Sequence, residues 1–194
     1  TPYNQVVISP NGYIDFRTTS ANVMSPWSFN TTIPSSIINV RNSILGCYHD
    51  MNNSDGQGTI NYGVLGTAPH RKFVVVFYNN SHFLCNAAAK SSFQMILHET
   101  SNTIDVQIIN KQLCASWNNG NAVIGIVNQG GNNAVAPPGR NTGAWTASNE
   151  GWRFSRIGSL YNYSFVKCDA NTDGIEEFNL QVVQNNLSPT NPSS

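Results

Sequence analysis

Between Cys85 and Cys114 the chain reads as a β-hairpin bracketed by two cysteines. Ser92-Phe-Gln-Met-Ile-Leu-His-Glu99 alternates, with Phe93, Met95 and Leu97 on one face and Gln94, Ile96 and His98 on the other. Ile104-Asp-Val-Gln-Ile-Ile-Asn110 repeats the pattern, with Ile104, Val106 and Ile108 sharing a face. Thr100-Ser-Asn-Thr103 between them is a polar stretch suited to a turn. The midpoint of the two cysteines falls beside that turn, so folding the hairpin brings Cys85 and Cys114 together. A disulfide is the economical reading, and it implies an oxidising, extracellular setting. For Cys47 and Cys168 three states stay open: paired with each other, reduced, or bonded to cysteines elsewhere.

Only 10% of the 194 residues are charged, against about 25% in an average soluble protein. Asn, Ser, Thr and Gly take over the solvating role, a composition of extracellular β-proteins rather than of long-helix or disordered chains. Ten basic residues balance ten acidic ones without a Lys/Arg cluster. Nucleic acid and anionic membrane are therefore excluded as expected partners. No apolar run is long enough to span a bilayer.

Short alternating runs separated by turn residues recur along the chain. Val6-Val-Ile-Ser9 and Tyr13-Ile-Asp-Phe16 flank the turn signal Pro10-Asn-Gly12. A mixed run covers Ile37 to Leu45, and Thr59-Ile-Asn-Tyr62 reads as a short strand. Arg71-Lys-Phe-Val-Val-Val-Phe-Tyr78 is the most apolar strand, expected near the centre of a sheet. Ala122-Val-Ile-Gly-Ile-Val127 and Trp152-Arg-Phe154 follow, with a loop at Gly130-Gly-Asn-Asn133. The expected fold is all-β: a two-sheet antiparallel β-sandwich, jelly-roll-like, with little or no helix. The sandwich is expected over 1–166, with a following repeat or terminal strand at 167–184 and a polar Pro/Ser/Asn tail at 185–194. Because a strand begins almost at Thr1, the sandwich is also expected to lack strands lying upstream in a parent protein.

Taken in order, these landmarks resemble the nidogen-like extracellular domain and its relatives in large bacterial surface proteins. The matching pieces are Val7-Ile-Ser-Pro-Asn-Gly-Tyr-Ile-Asp-Phe16, Pro26-Trp27, His49-Asp50, Gly58-Thr-Ile-Asn-Tyr62 and Arg71 to Tyr78. Phe93 to Glu99, Ala122 to Asn128, Trp145 and Trp152-Arg-Phe154 complete them, over roughly residues 3 to 156. Cys168-Asp-Ala-Asn-Thr-Asp-Gly-Ile-Glu-Glu-Phe-Asn-Leu180 is similar to the opening of a repeat in surface proteins of gliding bacteria, exported by type IX secretion. Together the resemblances imply a secreted or cell-surface adhesion module within a very long adhesin.

Asp169-x-Asn171-x-Asp173-Gly174 places oxygen side chains at alternate positions, curling a loop around a hard cation, with the Ile175 carbonyl as a further donor. Leu180 stands where a bidentate acid would complete such a loop, leaving Glu177 (or Glu176) as a substitute in another geometry. Calcium is the expected cation, and a plain Asp-Gly turn is the rival reading. Asp50, Asn52 and Asp55 form a weaker set for a cation or a sugar, against a purely structural role. The histidines show no zinc-pair spacing. No nucleophile elbow, phosphate loop or placed carboxylate pair supports an enzyme, Glu99 and Glu150 included. Aromatics beside amides suit carbohydrate: rings stack on sugar faces and amides bond hydroxyls. Trp117, Asn118, Asn119 and Tyr48 are the candidate ligand contacts, and a rival reading packs Trp27 and Trp152 in the core. Surface glycans, polysaccharide or neighbouring adhesin modules are the expected partners, joined through weak contacts multiplied along a tethered polymer. A lectin-like domain with a dedicated sugar pocket is one alternative. A structural spacer, or a filament subunit completed by a neighbour's strand, is another.

Overall fold

In the computed structural model, which describes residues 3–28 and 30–155, twelve strands form two antiparallel sheets. The strands are β1 (Val7–Ser9), β2 (Tyr13–Asp15), β3 (Ser43–Tyr48), β4 (Met51–Asn52), β5 (Thr59–Leu65) and β6 (Lys72–His82). They continue with β7 (Asn86–His98), β8 (Ile104–Lys111), β9 (Asn121–Val127), β10 (Ala134–Val135), β11 (Asn141–Ala144) and β12 (Ala147–Phe154). The first sheet runs β1-β2-β3-β9, with β10 and β11 both pairing β9. The second runs β12-β8-β7-β6, with β4 and β5 both pairing β6. Among the described residues helix is confined to two 3₁₀ turns, Thr18–Ser20 and Asn118–Gly120. The all-β sandwich read from alternation is the fold observed.

The hairpin register follows the predicted faces. Phe93 pairs with Ile108, Met95 with Val106 and Leu97 with Ile104, all turned toward the other sheet. These side chains meet Ile14, Ile44, Val75, Phe77 and Ile124 in one core. Phe77 and Phe93 stack at 4.6 Å between ring centroids. At Pro10-Asn-Gly12 the turn closes as expected: Gly12 has φ +85° and its N–H donates to the Ser9 carbonyl. A side chain there would strike the Cys47 carbonyl at 2.6 Å, so this turn is glycine's by space as well as by angle.

Three boundaries differ from expectation. No strand forms over 37–42, and the run expected from Ile37 to Leu45 becomes a strand only at Ser43. Ile38 and Val40 are buried without a ladder, because they cap a smaller core around Tyr13, Tyr48 and Val127. β6 and β7 extend past their apolar parts, to His82 and back to Asn86, through polar residues that alternation cannot register. There Ser81, His82, Ser91 and Ser92 are all buried, and the His82 ring bonds the Ser91 hydroxyl at 2.8 Å. Cys85 and Cys114 are disulfide-bonded, with Cα atoms 5.9 Å apart. Cys47 is a buried free thiol on β3. Cys168 and the boundaries expected near 166 and 184 lie outside the described residues.

Candidate functional site

One end of the sandwich gathers the turns after β3, β6 and β8. Here the disulfide ties the Phe83-Leu84-Cys85 turn to Cys114, three residues before Trp117. Trp117 precedes the 3₁₀ turn Asn118–Gly120, in which Asn118 and Asn119 both take positive φ, 47° and 53°. Gly120 follows at φ +71°, a backbone angle that favours glycine, and an added Cβ would also press on the Leu113 side chain at 2.4 Å.

Three aromatic rings meet there. Trp27 stacks on Trp117 at 5.5 Å and 19° between planes, and Phe83 leans on Trp117 at 5.1 Å. The Trp117 indole N–H donates to Asp50 Oδ2 at 2.7 Å, and the Asn118 amide donates to the Trp27 carbonyl at 2.6 Å. Trp27 and Phe83 remain exposed, as do Leu84, Leu113 and Asn119. Partial burial raises the Asp50 carboxyl above its ordinary pKa while the Trp117 hydrogen bond pulls it down.

Beneath this layer lies a buried polar cluster. The His49 and His82 rings are 4.1 Å apart, and Lys111 reaches the Trp145 carbonyl at 2.7 Å with its ammonium over the Trp145 ring at 4.5 Å. Burial pushes His49 well down and His82 down to about 3, with Lys111 adding to both; burial lowers Lys111 itself to about 8. His49 Nδ1 faces the Cys47 carbonyl at 2.7 Å, and its Nε2 is buried without a partner. The recess between this cluster and Trp117 is about 10 Å³, the room of one water molecule. At this end of the sandwich a larger ligand must therefore lie on the aromatic surface rather than in the recess.

A family model described as NIDO related matches residues 1–166. The chain belongs to the NIDO-related family. The nidogen-like resemblance is borne out at that level. No curated protein matches the chain, and no solved structure does. Among the described residues of this NIDO-related domain, no helix is long and apolar enough to cross a membrane.

The domain brings Trp117, Asn118 and Asn119 together as expected, but Tyr48 does not join them. Tyr48 is fully buried; its hydroxyl donates to the Pro26 carbonyl at 3.1 Å and its ring meets Tyr13 edge-on at 5.3 Å. It supports the segment that carries Trp27 from below and offers no ring to a ligand. Trp27, which the rival reading packs in the core, is 38% exposed and forms half of the stack. Its partner Trp117 is half-buried rather than free. Trp152 is half-buried against the core, and its indole N–H bonds Glu150.

Asp50, Asn52 and Asp55 do not converge. Asp50 holds Trp117, Asn52 Oδ1 accepts from Ser54 N–H and hydroxyl, and Asp55 Oδ1 accepts from Gln57 N–H. The bonds of Asn52 and Asp55 are local turn bonds of the Asx kind. Among the described residues no group of three or more His, Cys, Asp or Glu could hold a metal. Asp169, Asn171, Asp173, Ile175 and Glu177 lie outside the described residues. Phe83 and the buried His49–His82–Lys111 cluster were missed: Phe83 follows a polar strand end, and the cluster is assembled from three strand ends distant in sequence.

Proposed function

We propose that this NIDO-related domain is a non-enzymatic, extracellular attachment module whose contact face is the Trp27–Trp117–Phe83 surface. The stacked tryptophans carry the reading. They form an exposed apolar platform rimmed by the amides of Asn118 and Asn119, suited to sugar rings on surface glycans or polysaccharide, or to a neighbouring adhesin module. Fixing the platform by a disulfide and by the Asp50 bond lowers the ordering cost of a weak contact. Within a long bacterial adhesin of the type IX secretion kind, such contacts gain strength by repetition. Calcium at Asp169, Asn171, Asp173 and the Ile175 carbonyl, with Glu177, would stiffen the link to the following repeat. What supports the absence of catalysis is that Glu99 and Glu150 are each engaged by an arginine, Arg71 and Arg140.

The test is retention on insoluble polysaccharides and on glycan-coated surfaces, with calcium and with chelator. Trp27→Ala is expected to abolish retention with little change in thermal midpoint, since that ring is outside the core. Equal retention of Trp27→Ala and wild type would overturn the contact face.

One observation favours the lectin-like alternative with a dedicated pocket. On the outer face of the second sheet a depression of about 390 Å³ is lined by Tyr78, Gln94, Gln107, Ile109 and Gly151. There Gln94 and Gln107 bond each other at 2.7 Å, and Gly151 leaves open space. Loss of retention in Tyr78→Ala but not in Trp27→Ala would favour this reading.

A further inference from the structure

We propose that β5 is a docking edge for a second copy of this chain, pairing antiparallel to its own counterpart about a two-fold axis at Tyr62. β5 pairs β6 along its whole length, and among the described residues no strand pairs its other edge. Edge strands usually carry guards: a lysine, a proline, an inward charge. Thr59-Ile-Asn-Tyr-Gly-Val-Leu65 has none.

The side chains point the same way. Ile60, Tyr62 and Val64 sit opposite Phe77, Val75 and Phe73, so they belong to the inner face of the sheet. Yet Tyr62 is 71% exposed and Val64 60%. The topology explains why. β11 passes into β12 across only Trp145 and Thr146, holding the β9 side of the first sheet over the β12 side of the second. At the opposite side the Asn11 side chain in the β1–β2 turn accepts from Met51 N–H on β4, so β1 lies on the β4–β5 side. The first sheet ends at β1, and the inner face of β5 projects past it.

Antiparallel self-pairing centred on Tyr62 sets Ile60 against Val64 and Asn61 against Gly63, with Thr59 against Leu65 at the ends. Apolar residues then meet apolar residues on the inner face. Gly63 has nothing within 4 Å of its Cβ position, which leaves room for the opposing Asn61. No charge opposes a like charge in the paired stretch. A two-fold contact of this kind is self-complementary and closes at a dimer. It uses no residue of the aromatic end, so its failure leaves the proposed contact face untouched.

The test is sedimentation of the full chain over a range of concentrations, with cysteine cross-linking to fix register. A concentration-dependent dimer is expected, reverting to monomer in Tyr62→Lys and Val64→Lys, while the thermal midpoint at concentrations where wild type is monomeric holds, because both side chains are exposed. On a Cys168→Ser background, Tyr62→Cys is expected to form an intermolecular disulfide, since residues facing across an antiparallel ladder have Cα atoms about 4.5–5.5 Å apart. Thr59→Cys should not, because two such positions would stand about 20 Å apart. A chain monomeric at every concentration would overturn the proposal. So would a dimer that survives Tyr62→Lys, or cross-linking from Thr59→Cys as readily as from Tyr62→Cys.

Discussion

Asp50 and Trp117 orient one another across 67 positions of sequence, through a single 2.7 Å bond at the rim of the polar cluster. Below them His49 and His82 are kept uncharged by burial and by the nearby Lys111 ammonium. That has a consequence for stability. His82 titrates at about 3 in the folded chain, against about 6.5 when unfolded. Between those values the unfolded state binds a proton that the native state refuses, so stability falls as pH drops below about 6.5. From pH 7 to about pH 5 His82 alone should cost about 2 kcal/mol, and His49 acts in the same direction. Urea unfolding at the two pH values checks it. The paired carboxylates Asp105 and Glu150 lose their stabilisation only at lower pH, below the ordinary carboxylate range. An unchanged midpoint, or an undiminished pH dependence in His82→Gln, would count against this account.

At the scale of elements, the β7–β8 hairpin braces the end that carries the aromatic surface. Its disulfide has a sequence separation of 29 residues, which loop-closure arguments value at about 3–4 kcal/mol. The double variant Cys85→Ser, Cys114→Ser should lose stability of that order in denaturant unfolding. It should also change tryptophan fluorescence before global unfolding, because Phe83 and Trp117 are tethered from the two sides of the bridge. A change in stability with unaltered native fluorescence would separate the brace from the aromatic surface. The hairpin was legible because Phe93 to Leu97 and Ile104 to Ile108 alternate without interruption. Its far half was not: Asn86 to Ser91 and the partner end of β6 carry only small or polar residues, and the burial of Ala89, Ser91, Ser81 and His82 among them follows from the tertiary packing.

Across the whole molecule the two sheets come closest where β3 crosses β7. A Cβ on Gly46 would lie 2.5 Å from the Phe93 ring and 3.1 Å from the Met95 sulfur. Gly46→Ala should therefore force the layers apart, costing about 1–3 kcal/mol. An alanine variant as stable as wild type in denaturant unfolding would mean that the sheets separate freely there. The sequence by itself determined the strand class, the faces of the central hairpin and the Cys85–Cys114 closure. Each of these depends on neighbours within one hairpin or one turn. Only the tertiary structure decided that Tyr48 is buried while Trp27 is exposed, that Asp50 accepts from the Trp117 indole, and that β5 projects beyond the opposing sheet. A period of two tells which residues share a face, whereas burial depends on what another part of the chain, 90 residues away for Trp27 and Trp117, lays across that face.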